Sequence, residues 1–300
     1  MKTQAVPMPP VRAKWKRVLI DSAIARIVIF VALVLVIGTA MTVAYSIAGW
    51  KSLPVDGGPR IALDFLLRLV PMGVGYYVIV RFIERRRVDE LGWRDMVPHL
   101  AIGILGGAAL MAGVIGVLWL AGSYTVTAVN TGVLWLRSLL IFGLATGIAE
   151  EIIFRGVLFR IIDERWGLWP ALTVSALFFG FAHASNANAT LWSSIAIAIE
   201  AGILLGVVYH VTKSLWVCIG MHMAWNFFEG TVFGSAVSGI AARGSWLQPQ
   251  FSGPDWLTGG SFGIEASVLT VLLSLAASFA LLAARQRRRR ENELQLQGAA

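Results

Sequence analysis

Six side chains between positions 150 and 226 have the types and spacings of a hydrolytic site: Glu150, Glu151, Arg155, His183, His222 and Asn226. Glu151 and Arg155 are four apart, so on a helix they share a face and can pair. Glu150 is then turned about 100° away and keeps no such counter-ion. His222 and Asn226 are also one turn apart, so the amide can bond the imidazole or whatever the imidazole holds. A buried carboxylate can deprotonate water, one imidazole can orient that water, and the remaining His and Asn can donate to a developing oxyanion. That is the chemistry of amide hydrolysis. The same groups could instead hold zinc, which takes His and carboxylate ligands and leaves a position for water. Residue types alone leave both open.

The elements that must position these groups are membrane spans. Hydrophobic residues make up 57% of the 300 and charged residues 14%, and the mean hydropathy is +0.73, outside the range of a soluble domain. Apolar stretches lie at 23–48, 61–82, 100–121, 133–155, 170–184, 192–212, 215–233 and 266–284. The expected fold is therefore all-α, a polytopic transmembrane bundle of about eight helices. The fifth stretch is short enough for a partial or re-entrant span. The first follows Lys14, Lys16 and Arg17 but is too long for a cleaved signal peptide, and reads as a retained helix. The single cysteine, Cys218, excludes an internal disulfide framework.

Basic residues test the topology independently, because short cytoplasmic loops collect Lys and Arg. They cluster before the first stretch, at Arg85, Arg86, Arg87 and Arg94, at Arg160 and Arg165, at Lys213, and at Arg285 and Arg287 to Arg290. Lys51, Arg60 and Arg243 fall on the other side. Both termini are expected in the cytoplasm, with the chain multi-pass in an inner (plasma) membrane. The net charge of +8 is placed to meet anionic lipid headgroups, and no nucleic-acid motif accompanies it. The domain picture is a basic segment over 1–22, a helical membrane domain over 23–284 with its catalytic core at about 139–228, and a polar tail over 285–300, with disorder expected from Gln286 onward.

Ionisable residues within the spans need a reason to be there. Arg26, Asp64 and Arg68 are explained by snorkelling or by an Asp64–Arg68 pair at i, i+4. At a 1.5 Å rise, Glu150 lies roughly 15 Å from Arg160, His183 about 20 Å from Pro170 and His222 about 13 Å from Lys213. These similar depths suit one cavity in the membrane, expected to open to the cytosol.

The chain resembles the CAAX protease and bacteriocin-processing (Abi) family of intramembrane endopeptidases. Glu150-Glu151-Ile-Ile-Phe-Arg155 stands for that family's EExxxR, Phe179-Gly-Phe-Ala-His183 for FxxxH and His222-Met-Ala-Trp-Asn226 for HxxxN, in the family's order. The resemblance implies that Glu150 is the general base, that Glu151 and Arg155 support it, that His183 orients water, and that His222 and Asn226 form an oxyanion site. It implies a glutamate-type mechanism without a cofactor, zinc being the alternative, and a membrane-associated peptide or protein as substrate. Glu200 departs from the family pattern, where an apolar residue is usual, and is read as lying near the outer interface rather than in the cavity.

Other features take structural readings. Gly259-Gly-Ser261-Phe-Gly263 matches GxSxG without the strand–turn–helix setting of a serine nucleophile. No HExxH occurs. His99 and His210 read as interfacial. Pairs such as Gly103–Gly107 and Gly143–Gly147 let helices approach closely. The loop 235–263 carries no assignable role. Against the endopeptidase stand a non-catalytic scaffold or immunity protein, which the complete motif set disfavours, and a proton-coupled transporter, for which no inverted repeat is visible.

Overall fold

The computed structural model describes residues 22–242 and 244–298. The basic segment with Lys14, Lys16 and Arg17 lies outside the described residues, as does Arg243. Among the described residues, helical segments stand at each of the eight expected places. They are α1 (Ala23–Ile47), α2 (Gly58–Ile83), α3 (Met96–Leu120), α4 (135–166), α5 (Leu168–Ala182), α6 (Leu191–Thr212), α7 (Leu215–Asn226, continued to Val232) and α8 (Val268–Gly298). Five of these, α1, α2, α3, α6 and α8, are long and apolar enough to cross a membrane. The three that are not, α4, α5 and α7, carry five of the six candidate side chains within them and His183 one residue past α5, so polarity and length lower their apolar signal where the chemistry lies. The chain is an integral membrane protein.

Local sequence sets the helix ends. Ser22 caps α1 by accepting from the Ala25 N–H, Pro59 occupies the first turn of α2, and Ser214 caps α7 by accepting from the Val217 N–H. Thr190 and Ser193 form a reciprocal capping box at the start of α6. Between α4 and α5 the chain reverses at Gly167, whose φ of +85° suits a residue without Cβ.

The helix pair in closest contact is α3 with α7. A Cβ on Gly103 would stand 2.1 Å from the Val217 carbonyl oxygen, and one on Gly107 would stand 2.5 Å from that of Met221. The small residues read from the sequence thus bring two backbones together. The main apolar core lies beside this seam, with Tyr76, Ile79, Phe159, Leu204, Leu215 and Ile219 buried among α2, α4, α6 and α7.

At the basic end, ion pairs fasten α1, α2 and α4. Arg26 meets Glu84 and Glu164, each at 3.0 Å, and Arg160 meets the same two carboxylates at 2.8 and 2.6 Å. Burial alone would push the Glu84 carboxyl up, but Arg160 and Arg86 outweigh it and hold it below its usual range. Arg26 is therefore paired rather than snorkelled.

Two expectations are corrected. Asp64 does not pair with Arg68; it takes Arg60 at 2.9 Å, Arg137 of α4 at 3.3 Å and the Tyr45 hydroxyl at 3.1 Å. Arg60 is equally one turn away and Arg137 reaches across from the neighbouring helix, so Arg68 is left over. The tail beyond Gln286 is not disordered but continues α8 to Gly298. Arg, Gln, Glu and Leu are strong helix formers there, and Arg287 and Arg289 each stand four before a Glu. Beside the helices stands a small sheet, β1 (Tyr124–Val129) antiparallel to β2 (Leu247–Phe251), which ties the α3–α4 link to the long loop before α8.

Candidate active site

Helix α4 brings the paired glutamates into the bundle through an unusual backbone. The ordinary α-helical turn Thr146–Glu151 is flanked by two π-helical stretches, Ser138–Ala145 and Ile152–Phe159. Widened turns of this kind shift the angular phase of a helix and recur at functional sites. Here they aim Thr146 and Glu150 into a cavity of about 450 Å³.

Glu151 is fully buried and makes two contacts through one oxygen. Its Oε1 accepts from Arg155 Nη1 at 2.8 Å and from His222 Nδ1 at 2.8 Å. Arg155, also fully buried, sends Nη2 to the carbonyl oxygens of Ala201 and Gly202 at 2.8 and 3.3 Å and stacks over Phe179 at 4.7 Å. The expected i, i+4 pair therefore forms, yet what it supports directly is His222 on α7, not Glu150.

Glu150 has no counter-ion, as its phase on the helix required. Its Oε2 lies 3.9 Å from His183 Nε2 and 3.8 Å from His222 Nε2, and has no hydrogen-bond partner. Those separations are too long for direct hydrogen bonds and suit one bridging water. His183, just past the end of α5, directs Nδ1 to the Phe179 carbonyl oxygen at 2.8 Å. A carbonyl only accepts, so the His183 proton sits on Nδ1 and its Nε2 faces Glu150 as an acceptor. By the same logic His222 carries a proton on Nδ1 towards Glu151. Asn226 lines the cavity, and its Nδ2 donates weakly to the Phe142 carbonyl oxygen at 3.4 Å rather than to His222.

The zinc alternative can be tested on this geometry. Four ligand atoms at zinc–ligand lengths stand about 3.4 Å apart in a tetrahedron. The pairs around Glu150 are wider, and among the described residues no group of three or more His, Cys, Asp or Glu is placed to hold a metal ion.

The cavity extends beyond the six residues. Arg68, Thr146, Glu200, Glu265, Asn186 and Ser238 also line it. Arg68 is exposed and donates to the Thr146 hydroxyl at 3.1 Å, one turn from Glu150. Glu200 is 1% exposed and faces the cavity, not the outer interface, because the elements packed around α6 bury it there. Glu265 was not singled out by sequence; its only signal is a carboxylate immediately before the last span. The lining includes Val237, Ser238 and Ile240 of the loop before α8 and no residue of the basic loops.

Residues 131–228, about a third of the chain and enclosing all six side chains, match the family model described as Type II CAAX prenyl endopeptidase Rce1-like. This segment is similar to the CAAX prenyl endopeptidases. An 81-residue stretch is 32% identical to a Bacillus subtilis (strain 168) protein described as "Putative membrane peptidase YdiL", covering 27% of this chain and 31% of that protein. The chain thus matches about a third of that relative's length. No solved structure matches the chain significantly. The matched segment runs from the start of α4 through most of α7 and holds the elements that carry the six side chains, while α1 to α3, the 235–263 loop and α8 fall outside it.

Proposed function

We propose that this protein is an intramembrane endopeptidase that hydrolyses a peptide bond of a membrane-associated peptide or protein. One observation carries the reading: the unpaired Glu150 carboxylate faces two imidazole nitrogens at bridging-water distance inside a cavity large enough for a peptide segment. In this reading Glu150 takes a proton from the water, whose other hydrogen is held by His183 Nε2. The water oxygen attacks the peptide carbonyl carbon. Negative charge gathers on the carbonyl oxygen, where the imidazolium form of His222 donates from Nε2 and Asn226 donates from Nδ2. The Glu151 carboxylate orients that ring through Nδ1, and Arg155 fixes the carboxylate. Collapse of the intermediate breaks the C–N bond as Glu150 returns its proton to the leaving amine. A positioned general base contributes about 10²–10⁴-fold and one oxyanion donor about 10²–10³-fold. No step is routed through a metal.

We also place both termini on the cytoplasmic face of a plasma membrane. Arg85 to Arg87, Arg160, Arg165, Lys213 and Arg287 to Arg290 support that orientation and suit anionic headgroups.

The deciding experiment is cleavage of membrane-anchored and lipidated peptides by the purified protein in liposomes, beside Glu150→Gln, with and without a chelator. Cleavage that survives chelation and vanishes in Glu150→Gln is expected. Loss on chelation with recovery on added zinc would move Glu150, His183 and His222 to ligand roles. No cleavage by the folded wild type would favour a scaffold.

A further inference from the structure

The catalytic reading leaves two carboxylates in the cavity unused. On α6, residues Ile197, Glu200, Ala201 and Leu204 present one face to the cavity, with Glu200 the polar member. Glu200 is buried, and its Oε1 has no hydrogen-bond partner. The nearby guanidinium of Arg155 gives its terminal nitrogens to Glu151 and to the Ala201 and Gly202 carbonyls, not to Glu200. Glu265 enters from the turn before α8 and is held in place: its Oε2 accepts from the Ser238 N–H at 2.5 Å and from the Ser238 hydroxyl at 2.9 Å. Behind them Glu229 is fully buried with one oxygen on Ser235 and the other unpartnered.

The cavity therefore sets three carboxylates, Glu150, Glu200 and Glu265, against the guanidinium of Arg68 and the imidazoles of His183 and His222, which stand beside Glu150. An ionised carboxylate with no donor in a buried wall is costly, and the cost falls when a cation that fits the cavity arrives. Metal ions are poor candidates, since no group of described residues is placed to ligate one. A flexible organic cation, by contrast, can reach such a wall from an extended peptide running past Glu150.

We propose that Glu200 and Glu265 form an acidic subsite that receives a cationic group of the peptide substrate. An ammonium or guanidinium meets this chemistry, either as a Lys or Arg side chain or as a free N-terminal amine. The inference rests on the peptidase reading and narrows its substrate to peptides that place a positive charge a short distance from the scissile bond.

The test separates binding from hydrolysis. Binding is read by fluorescence anisotropy with full-length Glu150→Gln protein in nanodiscs. The probes are peptides that carry Lys, Arg, norleucine or Glu at each position in turn, with free or acetylated N-termini. At one position Lys and Arg are expected to bind at least ten-fold tighter than norleucine. If the amine is the cation, acetylation causes the same loss instead. Adding Glu200→Gln or Glu265→Gln should remove the difference while norleucine peptides bind as before, which also shows that the variants are folded. Equal binding of Lys, Arg and norleucine peptides at every position, with no effect of acetylation, would overturn the proposal. So would a preference that persists in both variants, or a loss shared by charged and neutral peptides. If the wild type cleaves none of these peptides while the preference and its loss are observed, the peptidase reading fails and the subsite stands.

Discussion

The Glu151–Arg155–His222 linkage can be probed by a double-mutant cycle whose outcome follows from burial. Both charges are fully buried, and Arg155 Nη1 and His222 Nδ1 share the same Glu151 oxygen at 2.8 Å. In Glu151→Gln the guanidinium keeps two backbone carbonyls and the Phe179 ring but loses its only carboxylate. Removing one partner of a buried pair costs about 3–5 kcal/mol, chiefly because the other charge stays behind unpaired. Arg155→Met should cost a similar amount by stranding Glu151. Glu151→Gln with Arg155→Met strands neither, so it should cost less than the sum by about 2 kcal/mol or more, within the range of coupling seen for contacting residues. The free energies can be read from reversible unfolding in mixed micelles. All three variants should lose peptidase activity, since His222 no longer has a carboxylate on Nδ1. Additive costs, or activity retained in the double variant, would refute the view that the pair holds the imidazole.

Three further outcomes are expected. Asn226→Ala should lower kcat by about 10²–10³-fold with little change in KM, because the amide serves the oxyanion and not the bound peptide; steady-state kinetics on one cleavable peptide checks this. Gly103→Ala would force a Cβ to 2.1 Å from the Val217 carbonyl oxygen, so the seam must open, with a loss of about 1–3 kcal/mol readable in the same unfolding assay. Glu84, held below the usual carboxylate range by Arg160 and Arg86 against its burial, contributes stability that is fully present above the unfolded carboxyl's pKa and is lost as pH falls through its folded value. Unfolding followed against pH should show that acid loss in the wild type, and a shallower one in Glu84→Gln.

The helical bundle and the Glu151–Arg155 pair were legible because each rests on a local rule. Long apolar runs must be helices in lipid, and i, i+4 spacing puts Glu151 with Arg155 whatever surrounds them. What escaped depends on neighbours or on backbone phase. The carboxylate of Asp64 had two arginines at equal sequence distance, and it meets Arg60 and, from another helix, Arg137, while Arg68 turns to Thr146. Glu200 was misplaced because its burial depends on the elements packed around α6, which its own sequence neighbours do not report. Glu265 belongs to a loop, and loops carry no periodicity from which an inward direction can be read. The role of Glu151 was half legible: its pairing follows from spacing, its service to His222 only from the packing of α7 on α4.

Helix α5 has 15 residues, which at 1.5 Å each gives roughly 22 Å against a hydrocarbon core of about 30 Å. Leu177, Phe178 and Phe181 near its end are exposed on the outer surface of the bundle. Lipids beside them must shorten to meet the helix, so the bilayer dimples on the flank where His183 ends the span. A dimple lowers the headgroup layer and its water towards Glu150. On the proposed peptidase reading, turnover is expected to rise in short-chain lipids and to fall in long-chain lipids.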